Sequence, residues 1–349
     1  AASDPVVTTN PAGGVGSIYL NTADGEMFVC TDATTDANVW TNVGPGTGDV
    51  IPYMYQGTQY GYEHGGEYPA STNRTSITKY SFTSDGGSTF VANLTTAGAY
   101  DSGFHSSTHG YRQGAEGVNV IDKYIFATDT LATNVGDMPQ LTNSANGIPS
   151  EINGYVVGGY QAAQPSVATR TITSIHRVSF SSDGNAINVA DMATRRIQST
   201  TASDTVNGYI MCGAHAAEHK TQVDKFPYAS EADATDIGDM TTGGYRTGGS
   251  SSTTHGYGTG GAFTTPVDVI DKFNFSGAFV ATDIGNLIGG NRMGLAASSS
   301  TTHGYTAGGN YTGAAGLNVI EKISFSVDGN SSNVGDLDQP KDYNAGASY

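Results

Sequence analysis

The stretch SSTTHGYGTGG at residues 251–261 returns almost unchanged as SSTTHGYTAGG at residues 299–309, and a shorter copy, SSTHGYRQG, stands at residues 106–114. Their common element, an x-Gly-Tyr step, occurs six times in the chain. Its glycines are Gly61, Gly110, Gly154, Gly208, Gly256 and Gly304, spaced 49, 44, 54, 48 and 48 residues apart. A repeat of this length is typical of the blades of a β-propeller. We number the repeats 1 to 6 by these steps.

Three further landmarks follow each x-Gly-Tyr step in a fixed order. A Gly-rich pair comes first, as in Gly260-Gly261. An aliphatic–polar–basic–apolar step follows, with an aromatic residue two positions later; its copies are ITKY 77–80, IDKY 121–124, IHRV 175–178, VDKF 223–226, IDKF 270–273 and IEKI 320–323. The last landmark ends in Leu or Met, as in VGDL 334–337. The period-two alternation in IDKF and the absence of a helical period predict short β-strands, b, c and d, followed by a small-residue strand a.

The position of strand a predicts how the repeats close. Strand a follows each strand d, and its last copy is YNAGASY at residues 343–349, where the sequence ends. Repeat 1 lacks such a strand before Gly61, so we expect the C-terminal strand to supply it, because a closed ring leaves no long exposed sheet edge. The competing source is residues 53–57. The predicted fold is all-β: a six-bladed β-propeller over residues 48–349, with four-stranded antiparallel blades and the first blade closed by the C-terminal strand.

The order of these landmarks resembles the kelch motif, with a double glycine after strand b and a Leu- or Met-ended strand d. Arg196, Arg246 and Arg292 stand soon after strand d, where kelch repeats often carry an arginine. The resemblance covers residues 58–349. The Tyr and Trp pair usual in kelch repeats is missing, because Trp40, the only tryptophan, precedes the repeats.

A different pattern occupies residues 1–47. The stretch GSIYLNTADGEMFVCTDATTDANVWTNVG at residues 16–44 predicts a β-hairpin with a turn at Asp24-Gly25, on whose apolar face Trp40 and Val43 pack. It resembles a module of bacteriophage tail-fibre and other virion appendage proteins, and the repeats resemble those of large structural proteins of marine phages. A module this small is expected to dock on a neighbour or a second chain.

Composition excludes several classes of function. The net charge of −17 disfavours a basic nucleic-acid-binding face and binding to an anionic membrane. The sequence contains no run of about 18 apolar residues, the length that would predict a membrane span. Cys30 and Cys212 lie in different predicted domains and are expected to be free thiols. The start, AASDPVVTTNPAGG, has no initiator Met or apolar leader, so we expect a longer or processed gene product.

The recurring polar residues have structural as well as chemical interpretations. His109, His255 and His303 precede the repeat glycines, and we favour hairpin turns with positive φ over metal ligation. Asp122-Lys123, Asp224-Lys225 and Asp271-Lys272 are adjacent on strands, so their side chains face opposite ways and suit salt links between blades rather than an acid/base pair. The acidic turns at 84–86, 182–184 and 327–329 suit Ca²⁺, but we interpret them as ordinary turns and expect no cofactor.

An enzymatic interpretation requires residues whose arrangement the sequence does not predict. A copper-radical oxidase needs a Tyr, a Cys and histidine ligands, but Cys212 occupies a glycine-pair position and is better explained as a packed small residue. A glycosidase needs two carboxylates about 5–10 Å apart, and the sequence does not show which acidic residues lie that close to each other. We therefore expect no enzymatic activity.

The predicted contact face lies on the b–c and d–a loops, since loops carry function while the scaffold is kept. It comprises Gln161, Gln164, Arg170, Arg195, Arg196, Arg246 and Arg292. The predicted function is that of a non-enzymatic phage virion protein (tail fibre, appendage or decoration) located in the virion or outside the cell. Its partners would be other virion proteins, through residues 1–47, and a host-surface glycan or protein; a homo-oligomer is also expected. The alternative is an extracellular bacterial carbohydrate-binding or glycan-processing propeller.

Overall fold

The computed structural model describes residues 1–44, 53, 55–69, 72–161, 167–216, 218–311 and 316–349. Its internal contacts divide the chain into two units, residues 1–54 and 55–349. The domain boundary predicted after residue 47 lies outside the described residues. Within the described residues, no helix is long and apolar enough to cross a membrane.

The first unit is a three-stranded antiparallel sheet, one strand more than the predicted hairpin. Its strands are β1 (Ile18–Leu20), β2 (Met27–Asp32) and β3 (Val39–Asn42), in that order. Phe28, Cys30 and Trp40 form the small core on one face. The prediction that Val43 packs there was wrong: its side chain is 53% exposed, because it lies beyond the end of β3.

The second unit is all-β apart from one short helix among its described residues. Its first elements are β4 (Tyr60–Glu67), β5 (Arg74–Ser81), β6 (Thr89–Gly98), β7 (Ser102–His105), β8 (His109–Ala115), β9 (Val118–Ile125), β10 (Thr133–Asp137), β11 (Asn146–Pro149), β12 (Asn153–Val157), α1 (Val167–Arg170), β13 (Ser174–Ser179) and β14 (Ile187–Asp191). The remaining elements are β15 (Thr200–Ser203), β16 (Asn207–Met211), β17 (Ala214–His215), β18 (Glu218–His219), β19 (Gln222–Pro227), β20 (Thr235–Asp239), β21 (Gly248–Ser251), β22 (His255–Thr259), β23 (Val269–Asn274), β24 (Ala281–Asn286), β25 (Met293–Ser299), β26 (His303–Asn310), β27 (Leu317–Ser324) and β28 (Ser332–Ser348).

These strands form antiparallel sheets that follow the repeats. Four sheets have four strands each, in the orders β7-β8-β9-β10, β11-β12-β13-β14, β15-β16-β19-β20 and β21-β22-β23-β24. A seven-stranded sheet has the order β25-β26-β27-β28-β4-β5-β6, and β17 pairs with β18 separately. The long β28 joins two halves of the seven-stranded sheet: its first part pairs with β27, and residues 342–348 pair with β4. The predicted pairing of the C-terminal strand with the first x-Gly-Tyr segment is therefore present.

The core between sheets is built from the aromatic landmarks of the sequence. The tyrosine of each x-Gly-Tyr step packs against the aromatic residue that follows strand c in the next repeat, with ring centroids 4.7–5.5 Å apart. The six pairs are Tyr62–Phe126, Tyr111–Phe180, Tyr155–Tyr228, Tyr209–Phe275, Tyr257–Phe325 and Tyr305–Phe82. The last pair joins repeat 6 to repeat 1. Such ring pairs add stabilisation beyond the area they bury.

One strand of each repeat contacts the corresponding strand of the next, in the order β7–β11–β15–β21–β25–β28, and β28 also contacts β7. Small residues allow this approach. A methyl group on Gly346 would lie 2.1 Å from the carbonyl oxygen of Ala297, and one on Gly147 would lie 2.1 Å from that of Gly103. These glycines are therefore required for backbone-to-backbone packing rather than for flexibility.

Cys30 and Cys212 are free thiols, as predicted, and both are buried. Burial raises the pKa of Cys212 to about 12, which keeps the thiol protonated and unreactive at neutral pH.

Candidate binding site in the central cavity

The basic residues of strand c hold neighbouring repeats together. Five of the six pair with an acidic residue in the c–d turn of the next repeat: Lys79–Asp129, Lys123–Asp183, Arg177–Glu231, Lys272–Asp328 and Lys322–Asp85. The salt links predicted for Lys123 and Lys272 are thus present. Lys225 differs because the corresponding turn, FSGAFV at 275–280, carries no carboxylate. All three acidic turns that we interpreted as ordinary turns rather than Ca²⁺ sites use their acid, Asp85, Asp183 or Asp328, as the partner of a lysine.

The acidic residues of strand c are buried on the face of the strand opposite the basic residues. Asp122, Asp224, Asp271 and Glu321 each accept a main-chain N–H from the segment after strand d of the preceding repeat, at 2.8–3.1 Å. Carboxylates that accept such hydrogen bonds tie two sheets together at a buried position. The opposed facing predicted for each Asp-Lys step is therefore observed.

Two of the seven predicted contact residues belong to this buried network. Arg196 is fully buried and pairs with Asp224, and Arg292 is fully buried and pairs with Glu321. Neither guanidinium reaches a surface that a partner could touch, so we correct the predicted face by removing both. Arg246 is not their structural equivalent: Gly244 occupies that position of its repeat, and Arg246 lies two residues further on.

Three other predicted residues lie near one another. The main-chain N–H of Gln161 donates to the Arg170 carbonyl (2.8 Å), and Arg195 Nη1 donates to the Thr171 carbonyl (3.2 Å). Arg195 is exposed, Arg170 is half-buried and Gln161 is buried. Gln164 lies outside the described residues. A contact role for this group stays a prediction.

The repeated histidines begin strands and do not adopt the positive φ that we predicted. His109, His255 and His303 are the first residues of β8, β22 and β26, and none has a positive φ. Their Nδ1 atoms lie 2.8 Å from the hydroxyl of the preceding threonine. Ser106, Ser252 and Ser300 form the turn by accepting the histidine N–H. In the described part of the chain, no three His, Cys, Asp or Glu side chains are placed to share a metal ion.

Residues of β7, β11, β15, β21, β25 and β28 line a polar cavity, which we call the central cavity. Tyr55 lies at the end where β21 finishes: its hydroxyl donates to the Ser252 carbonyl (2.5 Å), and its carbonyl lies 2.8 Å from His105 Nε2. Burial lowers the pKa of His105 to about 4. His105 is therefore neutral at pH 7 and can donate to that carbonyl.

A second cavity, which we call the mouth, lies beside the central cavity. The two cavities are adjacent, because both are lined by Asp101, Asn146, Thr247, Leu295 and Asn344. The mouth is framed by one residue per repeat with a left-handed backbone, φ 51–72°: Tyr100, Ser144, Gln198, Arg246, Gly294 and Tyr343. Main-chain N–H groups link them in sequence, Ser144 to Tyr100, Gln198 to Ser144, Arg246 to Gln198, Gly294 to Arg246 and Tyr100 to Tyr343, at 2.7–3.1 Å.

Arg246 occupies the mouth and is held by aromatic residues. Its guanidinium lies 4.5 Å from the Tyr343 ring centroid, and Tyr100 stacks on Tyr343 at 4.3 Å. Nη1 donates to the Tyr343 hydroxyl (2.6 Å), and Nε donates to Gln198 Oε1 (3.2 Å). Arginine over aromatic rings is held by cation–π attraction and by stacking, which fixes the orientation of its remaining donors.

Sequence reasoning found Arg246 but missed Tyr100, Gln198 and Tyr343. The signal was available, because these positions keep the spacing of the x-Gly-Tyr steps along the chain. These equivalent positions are not obvious in the sequence, because their residue types differ from repeat to repeat while their backbone conformation is shared.

Comparison with known proteins adds the fold alone. No protein-family model matches the chain, and no curated protein matches it. A similar solved structure is described as "Structure of YjhT"; the TM-score is 0.61 at 12% identity, over 72% of this chain and 87% of that one. At this identity the likeness supports the all-β arrangement of antiparallel sheets and carries no activity.

Proposed function

We propose that residues 55–349 form a closed six-bladed, kelch-like β-propeller. The support is the set of aromatic pairs, in which each repeat packs on the next and Tyr305 of repeat 6 packs on Phe82 of repeat 1. The Lys322–Asp85 ion pair joins the same two repeats at the outside. Six repeats form six such interfaces, so a ring of five or seven blades would not match the number of aromatic pairs. An experimental map with six sheets around one axis is expected, and any other number would refute the proposal.

We propose further that the chain is a non-enzymatic binding protein of a phage virion, serving as a tail fibre, appendage or decoration that recognises a host surface. The mouth carries the observation behind the binding role: Arg246 is presented at an open cavity by two tyrosines, whereas the recurrent charged residues on strand c hold sheets together. The virion assignment rests on the resemblance of residues 16–44 to tail-fibre modules.

The first unit supports a role in attachment. Ile18, Leu20 and Met27 lie on the face of its sheet opposite the Phe28–Trp40 core, and they are 68%, 50% and 39% exposed. A small sheet with an exposed apolar face gains stability when another protein covers it. We propose that other virion proteins cover this face.

Purified virions test the assignment. Mass spectrometry should find the chain in particles after density-gradient purification, and electron cryomicroscopy should place it at a fixed symmetric position. Ile18→Lys with Leu20→Lys should abolish incorporation, whereas Thr22→Lys, on the exposed loop after β1, should not. Recovery of the chain only outside particles would instead favour the alternative, an extracellular bacterial carbohydrate-binding or glycan-processing propeller. Measured cleavage of a glycan would overturn the non-enzymatic assignment.

A further inference from the structure

The imidazole of His105, at the end of β7, joins the first residue of the second unit to the last strand of that unit. Its Nε2 lies 2.8 Å from the carbonyl oxygen of Tyr55, and its Nδ1 accepts the main-chain N–H of Ser348 at 3.4 Å. Tyr55, His105 and Ser348 are 4%, 8% and 4% exposed. We call these three residues the latch.

The two partners of His105 require one protonation state of its ring. A carbonyl oxygen only accepts, so Nε2 carries the hydrogen, and a main-chain N–H only donates, so Nδ1 keeps its lone pair. Both hydrogen bonds are therefore made by the neutral imidazole. A second proton would set the Nδ1–H of the ring against the N–H of Ser348 and would leave a charge at a buried position.

The latch holds the segments that meet beside β4. Tyr349 follows the latch residue Ser348, and its carbonyl accepts the main-chain N–H groups of residues 58–60 at 2.6–3.0 Å. On the other side, the Tyr55 hydroxyl donates to the carbonyl of Ser252, just after β21. Release of His105 therefore loosens the C-terminal strand and residues 55–60 together, because these two segments are also bonded to each other.

No charged group holds a proton on His105. In the part of the chain that the structure describes, its ring forms no ion pair, and burial lowers its pKa to about 4, although the hydrogen bond to Tyr55 raises it. Around it, the buried charged or titratable side chains of β4, β8, β28 and the residue before β7 are Tyr62, Glu63, His64, Asp101, Tyr111, Arg112, Lys341 and Asp342.

We propose that His105 is an acid-sensitive latch: the neutral ring ties Tyr55 and the C-terminal strand to β7, and protonation of the ring releases both. Residues 342–348 pair with β4, so their release opens the edge of that strand. An open strand edge is a site where another chain can add. The inference concerns the closure of the second unit and does not depend on the virion role.

Hydrogen exchange followed by mass spectrometry tests the latch in the full chain, with protection factors corrected for the intrinsic exchange rate at each pH. His105→Gln is the informative variant, because its amide can donate to Tyr55 and accept from Ser348 but does not titrate. A pKa of 6.5 in the open state and about 4 in the closed state shifts the opening equilibrium by about 20-fold between pH 7 and pH 5. At residues 344–348, the ratio of protection factors, variant over wild type, should rise by this factor.

The comparison of two proteins removes the other titrating groups from the result. Burial raises the pKa of Glu63 to about 6, so this carboxyl opposes opening as the pH falls, but it does so equally in wild type and His105→Gln. His176→Gln is the matched control: His176 is a second buried histidine, on β13, and burial lowers its pKa also. Its ratio to the wild type at residues 344–348 should not change with pH.

The position of the effect decides between a latch and general acid sensitivity. Amides of β21 to β24 should show the same ratio of His105→Gln to wild type at both pH values. A ratio that stays constant at residues 344–348, or that changes equally in all sheets, would overturn the inference.

The wild type alone provides a second test that does not require the variant to fold. Long-range ¹H–¹⁵N NMR spectra of the His105 ring at pH 7 should show the tautomer with its hydrogen on Nε2. The tautomer with its hydrogen on Nδ1, or a protonated ring at this pH, would refute the latch.

Discussion

Removal of residues 344–349 tests whether the C-terminal strand closes the second unit. Residues Asn344 to Ser348 pair with β4, and an antiparallel ladder makes about one hydrogen bond per residue pair. Tyr349 adds four main-chain hydrogen bonds, accepting from Thr58, Gln59 and Tyr60 and donating to Tyr60. At a net value of about 1 kcal/mol for each bond, the deletion removes roughly 9 kcal/mol. This is comparable to the whole stability of a domain, about 5–15 kcal/mol.

Urea unfolding followed by far-UV circular dichroism measures this loss. The full chain should show a cooperative transition of the second unit, whereas the truncated chain should have lost most of its β signal before urea is added. A synthetic peptide of residues 343–349 should restore part of the signal, because the strand pairs through its backbone.

Two glycine variants provide a matched comparison for the deletion. Gly346→Ala places a methyl group 2.1 Å from the Ala297 carbonyl oxygen, so it should lower the urea midpoint strongly. Gly258→Ala meets only the flexible end of Met240, at 3.3 Å, and should change it little. If the truncated chain unfolds at the midpoint of the full chain, β28 does not close the sheet, and residues 53–57 become the better candidate.

Three further predictions concern charged groups. Burial raises the pKa of Glu63 from 4.5 to about 6, so this carboxyl adds to the unfolding free energy as the pH falls from about 6 to 4.5. In urea titrations, the difference in unfolding free energy between wild type and Glu63→Gln should therefore change by about 2 kcal/mol between pH 7 and pH 4. A difference that stays constant over this range would contradict the pKa shift. Burial lowers the pKa of His105 from 6.5 to about 4, so here the unfolding free energy decreases, by about 3 kcal/mol, as the pH falls from 6.5 to 4. In the same titrations, His105→Gln should remove this pH dependence. Arg292→Met leaves the buried Glu321 unpaired and should cost about 3–5 kcal/mol, whereas Lys322→Met at a half-exposed pair should cost at most about 1 kcal/mol; equal urea midpoints for the two variants would refute the difference in burial.

The repeated strands could be predicted from the sequence because their signals are local. The x-Gly-Tyr step, the alternation of Ile270 to Phe273 and the ring at Phe275 each report a short strand and its buried side, and their order recurs in every repeat. The C-terminal pairing followed from counting strands.

The site was harder to predict because it depends on an offset of two residues. Arg196 and Arg246 look equivalent as basic residues after strand d, yet Arg196 is buried and Arg246 adopts the left-handed conformation at the mouth. The tyrosines that hold Arg246 come from repeats 1 and 6, at residues 100 and 343, and only the tertiary structure brings them beside it. The repeat spacing marks these positions as equivalent, but it does not show that their side chains meet.

The pairing of β28 with β4 also sets the order of events during synthesis. Residues 60–98 emerge from the ribosome long before residues 342–348, which supply the neighbouring strand of β4. At about 5–20 residues per second, the edge of β4 waits roughly 10–50 seconds for its partner. An unpaired strand edge is a template for association with other chains. The nascent protein therefore passes through a period in which its first sheet has an unpaired edge. Crowding of nascent chains, or slow translation of repeats 2 to 6, should raise the aggregated fraction of this protein. The increase should be larger than for a protein in which each sheet is complete before the next is synthesised.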